Sequence, residues 1–269
     1  MRRATLLTAV FAVLLLAQSF VPVALAQDYQ NWKLTHPKPQ ANLLRKHKMI
    51  DANIWVATGA NGTYMRTTDA GANWYFHHQA GKAANTALTI GQNYDVWFFS
   101  STNGVVAGDR GYIGKTTNGG VTFDSVANGL IPVAQRAQSI WFADANTGYV
   151  GAGTASGFNG TIIKTTDGGL NWTSVYTTTA TTVQTISGTN AQILYAVLAD
   201  GSVIKTTDGG TSWSAPTPGT VGQFMYGMSF VDSLTGFVAG GGGLISKTTN
   251  AGATWTAIAP LQTNWSYFQ

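Results

Sequence analysis

The chain has 269 residues, of which 44% are hydrophobic, 12% aromatic and only 10% charged; 32 are glycine. That apolar content excludes a disordered chain and fits one large domain or two small ones. The formal charge is +4 and there is no cysteine, which argues against a nucleic-acid partner and excludes disulfides and thiolate chemistry.

The first predicted segment is "MRRATLLTAVFAVLLLAQSFVPVALAQ". Arg2 and Arg3 form a positive leader, residues 6–16 are apolar, and Ala24-Leu25-Ala26 is a small-residue cleavage signal before Gln27. Residues 1–26 therefore read as a signal peptide, and the protein as exported to the periplasm, the cell surface or the medium. No later stretch is long and apolar enough to span a membrane. Residues 27–45 hold "NWKLTHP", which resembles the last strand of the units that follow and is a candidate closing strand.

Residues 46–260 repeat. "YMRTTDAGANW", "IGKTTNGGVTF", "IIKTTDGGLNW", "VIKTTDGGTSW" and "ISKTTNAGATW" share a basic residue, Thr-Thr, Asp or Asn, a small residue, Gly and a final aromatic. The Asp/Asn positions are Asp69, Asn118, Asp167, Asp208 and Asn250, at intervals of 49, 49, 41 and 42 residues. The aromatics are Trp74, Phe123, Trp172, Trp213 and Trp255. A fixed period of this size marks a repeat architecture. Upstream of the turns lie alternating apolar runs such as "IWFADANTGYVGAG" and "MSFVDSLTGFVAGG". Tight turns at Asn61-Gly62, Asp109-Arg110-Gly111 and Asp200-Gly201 then read as hairpins. "GAGTASGFNG" from Gly151 joins two strands and opens no helix, so it reads as a long hairpin loop. Each unit thus has four short antiparallel strands, and no helix is predicted after Gln27.

Four such strands repeated in this way describe a β-propeller blade. The Asp or Asn accepts backbone N–H groups to close an Asx-type turn, the Gly supplies backbone freedom and the aromatic packs beneath. The repeated turns therefore have a structural explanation.

The Thr-x-Asp-x-Gly-x-x-Trp pattern resembles the Asp-box, or BNR repeat, of sialidases. The fuller unit, closing on Lys-Thr-Thr-Asp-Gly-Gly-x-x-Trp, is similar to the Ycf48/Hcf136 photosystem II assembly-factor repeat. That resemblance implies an exported scaffold that binds another extracytoplasmic protein. Asn118, Asn250 and Phe123 depart from the strict pattern. At the end of the chain, residues 261–269 hold "NWSYFQ", which resembles a first strand; two readings stay open, a partial sixth blade made by both termini or a piece of a longer protein.

A sialidase needs an arginine cluster and a tyrosine nucleophile with an acid partner, usually Glu. Arginine after the leader is confined to Arg45, Arg66, Arg110 and Arg136, and all eleven acids are Asp. Asp95, Asp109, Asp124 and Asp200 lie outside the repeated turns, yet none sits in a catalytic motif. His36, His47, His77 and His78 have no metal-ligand spacing. The expectation is therefore no enzyme, no metal and no cofactor. The repeated basic position (Arg66, Lys115, Lys164, Lys205 and Lys247) reads as solvated strand residues whose stems cover aromatic surface; a positive row for an acidic partner is the other reading. The face opposite the Asp-box turns carries the inter-blade loops and the second-to-third-strand hairpins, and offers His77, His78, Lys82, Tyr94, Arg110, Arg136, Phe224 and Tyr226 as a candidate binding face. The function that emerges is a non-catalytic protein-binding module. A carbohydrate-binding or glycoside-hydrolase (sialidase-like) propeller is the alternative, and would make a polysaccharide the partner.

Overall fold

A computed structural model describes residues 42–77, 91–126, 129–214, 217–218 and 225–258. They form five four-stranded antiparallel sheets, each a simple meander in sequence order. The first holds β1 (Leu44–Met49), β2 (Trp55–Gly59), β3 (Tyr64–Thr67) and β4 (Tyr75–His77). The second holds β5 (Asn93–Phe98), β6 (Gly104–Gly108), β7 (Ile113–Thr116) and β8 (Asp124–Ser125). The third holds β9 (Gln135–Phe142), β10 (Gly148–Thr154), β11 (Gly160–Thr165) and β12 (Thr173–Thr178). The fourth holds β13 (Val183–Gly188), β14 (Leu194–Leu198), β15 (Ser202–Thr206) and β16 (Thr217–Pro218). The fifth holds β17 (Met225–Phe230), β18 (Gly236–Gly240), β19 (Ile245–Thr248) and β20 (Thr256–Ile258). Among the described residues, the helical elements are three single 3-10 turns. The architecture is a β-propeller.

Local chemistry explains the strands. β14 reads "LYAVL" and is buried along its whole length, because a middle strand is covered on both faces. The first sheet's hairpin turns at Asn61 and Gly62, both at positive φ (54° and 64°), the conformation of the tight turn that matches strand twist. The Gly-rich stretch from Gly151 differs from expectation: β10 runs on to Thr154, and Gly151 pairs with Ile162 and Ser139. These glycines are strand residues because the neighbouring sheet comes close; a Cβ on Gly153 would lie 2.3 Å from the Thr182 side chain.

The core lies between consecutive sheets. Val56 and Tyr64 pack with Val96 and Phe98. Val105 and Ala107 pack with Ile140, Phe142 and Trp172. Tyr149 and Ile162 pack with Ile186 and Leu194, and Tyr195 and Val197 with Met228 and Val238. Each fully buried side chain of this size contributes about 1.5–3 kcal/mol.

Five copies of one turn join the third and fourth strands. In the third sheet, Thr165 Oγ1 donates to Asp167 Oδ1 at 2.8 Å and accepts from Gly169 N at 2.9 Å; Asp167 Oδ1 also accepts from Asn171 N at 2.9 Å. The same contacts recur at Thr67/Asp69, Thr116/Asn118, Thr206/Asp208 and Thr248/Asn250. Trp172 Nε1 donates to Gly169 O at 3.1 Å, which fixes the ring beneath its turn.

The repeated basic residue does more than cover aromatic surface. Lys115 Nζ donates to Gly168 O at 2.7 Å, Lys164 Nζ to Gly209 O at 2.7 Å, and Lys205 Nζ to Ala251 O at 3.1 Å. Arg66 reaches Gly119 O at 3.0 Å. In each case the acceptor is the residue after the Asp or Asn in the following sheet's turn. The position is a latch between neighbours, placed there because the Thr-Thr strand runs beside that turn. Lys164 and Lys205 also lie 5.6 Å and 5.3 Å from the Tyr149 and Tyr195 rings, so stem packing and latch coexist. The first strand begins at Leu44, across the expected boundary at 46. The proposed partial sixth blade, the leader and the segments 27–41 and 259–269 lie outside the described residues.

Candidate functional site

The first strands of all five sheets line one cavity of about 390 Å³. Each of these strands carries an irregularity at the same place. Register runs from Leu44 to Lys46, Asn93 to Asp95, Val183 to Thr185 and Met225 to Gly227 with one residue passed over, and the third sheet likewise passes over Gln138. A bulge leaves one residue unpaired and re-aims it. The five bulged residues are Arg45, Tyr94, Gln138, Gln184 and Tyr226, and all five line the cavity. One residue per sheet is thus delivered to a single mouth. Below it, Lys46, Asp95, Ser139 and Thr185 form the next level.

The mouth lies on the side of the second-to-third-strand hairpins. Ala60 N donates to Leu43 O and Asp109 N to Gln92 O, which ties those hairpins to the start of the first strands. Here the second sheet organises a charged cluster. Tyr94 Oη donates to Asp109 Oδ1 at 2.9 Å, and Asp109 Oδ2 accepts from Gln92 N at 2.8 Å. The guanidinium carbons of Arg45 and Arg136 lie 4.8 Å and 5.7 Å from the centroid of the Tyr94 ring. Arg136 Nε also lies 3.4 Å from Asp109 Oδ1, and Arg45 Nε donates to Gln92 Oε1 at 2.8 Å. Burial, then the hydrogen bond and charge of Asp109, push the Tyr94 phenol up to about 12, so it stays a neutral donor at physiological pH. Cation–π contacts of this kind orient guanidinium groups at modest energy.

Asp95 sits at the second level, 4% exposed. Its Oδ1 accepts from Val96 N and its Oδ2 from Ile140 N, both at 2.7 Å. Desolvation raises its pKa, opposed by Lys46 and by these backbone bonds. The carboxylate ties two first strands together. Asp200 caps its own hairpin by accepting from Ser202 N and Oγ, and Asp124 is exposed at the start of β8.

The structure brings Tyr94, Arg136 and Tyr226 into one mouth. Arg110 stands apart, exposed at a hairpin tip with φ 61°. His77 pairs with Tyr64 through the backbone of β4, while its side chain and His78, Lys82 and Phe224 lie outside the described residues. Sequence reasoning missed Arg45, Gln138 and Gln184. For Gln138 and Gln184 the signal is a slip in alternation: Ala137 to Ile140 and Val183 to Ile186 are apolar positions three apart where a regular strand gives two, whereas Leu44 is followed three residues on by His47 and Arg45 leaves no such mark.

The chain matches the family described as photosynthesis system II assembly factor YCF48 over residues 86–227. A search of curated proteins finds no match. Among solved structures, YCF48 from Cyanidioschyzon merolae is similar at 16% identity and TM-score 0.53, over 85% of this chain and 88% of that one. An ancestral GH74 enzyme is similar at 15% identity and TM-score 0.66, over 84% of this chain but only 32% of the enzyme. The WD40 propeller domain of Doa1 is similar at 14% identity and TM-score 0.62, over 86% and 72%. Likeness at these identities speaks for the propeller fold.

Proposed function

Because the chain belongs to the photosynthesis system II assembly factor YCF48 family, we propose that it is a non-catalytic assembly module that holds another protein at the channel mouth. The observation that carries this reading is the convergence of five bulged residues, one per sheet, on a mouth flanked by the Arg45–Tyr94–Arg136 cluster. Guanidinium groups, two phenols and two side-chain amides suit a polypeptide, which offers carbonyls, N–H groups and acidic side chains. A hydrolytic reading gains less support. Asp95 spends both oxygens on backbone N–H groups, and Asp109 is held by Gln92, Tyr94 and Arg136. Neither is placed as a solvent-open acid or base.

The test is a cross-linking pull-down from an extract of the source organism, comparing wild type with Arg45→Ala/Arg136→Ala at equal melting temperature. Wild type should retain a specific protein that the variant loses. Retention by both, or turnover of a polysaccharide by wild type, would overturn the reading. We also propose export, on the strength of the leader at 1–26. N-terminal sequencing of the protein from its native host should begin at Gln27; a start at Met1 would refute it.

A further inference from the structure

The channel has a second, chemically different end, and nothing in the assembly reading uses it. Two residues on from the second level, the five first strands place Lys48, Trp97, Trp141, Ser187 and Ser229 in matching register, opposite Val56, Val105, Tyr149, Tyr195 and Phe237 of their second strands. A cavity of about 330 Å³ opens there, lined by Lys46, Lys48, Trp97, Trp141, Ser187 and Met228 among others. Its size falls at the lower end of pockets that take small ligands. It lies toward the ends of the first strands, away from the bulges.

Its chemistry is uneven in a useful way. Two tryptophans from adjacent sheets and a methionine give it an apolar, flat-sided wall. The cation comes from the first sheet. Lys48 Nζ lies 3.8 Å from the centroid of Trp97 and is half-buried, and that burial lowers its pKa. Asp95 is the carboxylate that acts on it, yet both Asp95 oxygens are taken by the N–H groups of Val96 and Ile140. Among the described residues the ion pair is Arg136 with Asp109, at the other end. Asp95 also lines this pocket, so among the described residues two lysines, Lys46 and Lys48, face a single carboxylate whose oxygens are already engaged. Ser187 adds a hydroxyl.

We propose that this end of the channel binds a small aromatic carboxylate, with its rings against Trp141 and its carboxylate on the Lys48 ammonium where that group rests over Trp97. Two ammonium groups against one carboxylate, held at an aromatic wall, select a ligand that is both aromatic and anionic. A neutral aromatic satisfies only the wall, and a small inorganic anion only the charge.

The experiment titrates the purified full chain with 2-naphthoate at low salt, by calorimetry and tryptophan fluorescence. The neutral 2-naphthalenemethanol and sodium acetate serve as partial ligands. Naphthoate should bind saturably, and each partial ligand at least about tenfold more weakly. Lys48→Met keeps the stem over Trp97 and removes the charge; it should lower naphthoate affinity by about tenfold or more while leaving binding of the alcohol unchanged. If that variant fails to fold, Trp141→Leu should weaken naphthoate to a similar degree. Absence of saturable binding, equal affinity for acid and alcohol, or wild-type affinity in the folded variant would overturn the proposal, and would leave Lys48 as a stem that covers Trp97. The Arg45→Ala/Arg136→Ala variant should bind naphthoate normally, so failure here and failure of the assembly reading are separate results.

Discussion

Asn93 is the one polar side chain at a position that its counterparts fill with apolar groups. It precedes the bulge in β5, where the other first strands have Leu44, Ala137, Val183 and Met225. Asn93 is 0% exposed, and both its Nδ2 and Oδ1 lack a hydrogen-bond partner among the described residues. An unsatisfied buried polar group costs about 1–3 kcal/mol. Asn93→Val should therefore stabilise the protein by about 1 kcal/mol in urea unfolding, and a loss of stability would mean that the amide is satisfied in solution. Asp95, two residues on, behaves in the opposite way. It is equally buried yet tied by two N–H donors, so its replacement by Leu leaves those donors orphaned and should destabilise. Burial alone does not decide the sign; the partner count does.

The latch argues for a different kind of test. Lys164 binds the Gly209 carbonyl of the next sheet, whereas Lys247 on β19 lies over Phe237 at 5.7 Å and has no following sheet among the described residues. Hydrogen bonds to charged groups are worth about 1.5–3 kcal/mol, discounted here because the lysine is partly exposed. Lys164→Met should cost about 1 kcal/mol in denaturant unfolding and Lys247→Met should cost close to nothing; equal effects would show that the methylene stem carries the energy. The five turns were legible in the sequence because their chemistry is local: Thr, Asp or Asn, and Gly bond one another within five residues. The latch was visible as a repeated cation but its meaning was not, since the acceptor lies 53 residues away for Lys115 and 45 for Lys164. The bulges were hidden for a related reason. A slip of one residue is fixed by the partner strand and the next sheet, and leaves only a weak mark in the apolar spacing. Hence Tyr94, Arg136 and Tyr226 could be named from the sequence as candidates for one face, while Arg45, Gln138 and Gln184 needed the register.

Taken together, the carboxylates give the protein an acid limit with a calculable direction. Asp167 and Asp208 are held at about 2, below their ordinary 3.8, chiefly by hydrogen bonds from Asn171 and Ser212 respectively; bonds from Asn73 lower Asp69 as well. A depressed folded pKa contributes stability that is present above 3.8 and lost as pH falls through the folded value. Asp95 runs the other way, since its raised pKa favours the folded state at low pH and disfavours it as pH rises. The turn aspartates outnumber it, so stability should fall between pH 4 and pH 2. Asn118 shows how to remove a contribution without breaking the turn: its amide donates to Thr122 Oγ1 while its oxygen accepts from Thr122 N. Ser212 can receive an amide in the same way, so Asp208→Asn should flatten the acid limb followed by tryptophan fluorescence, and an unchanged limb would show that Asp208 titrates normally. The latch has a last consequence, and it concerns descent. Each repeat unit carries both halves of the joint, a cation that reaches forward and a turn that is reached from behind. A tandem duplication of one unit therefore arrives with its joints already made on both sides, and the loss of one lets its neighbours meet with matching ends. Such a chain can lengthen or shorten by whole repeats without inventing a new contact, and the hexapeptide "KTTDGG", identical in the third and fourth units, holds both halves of one such joint.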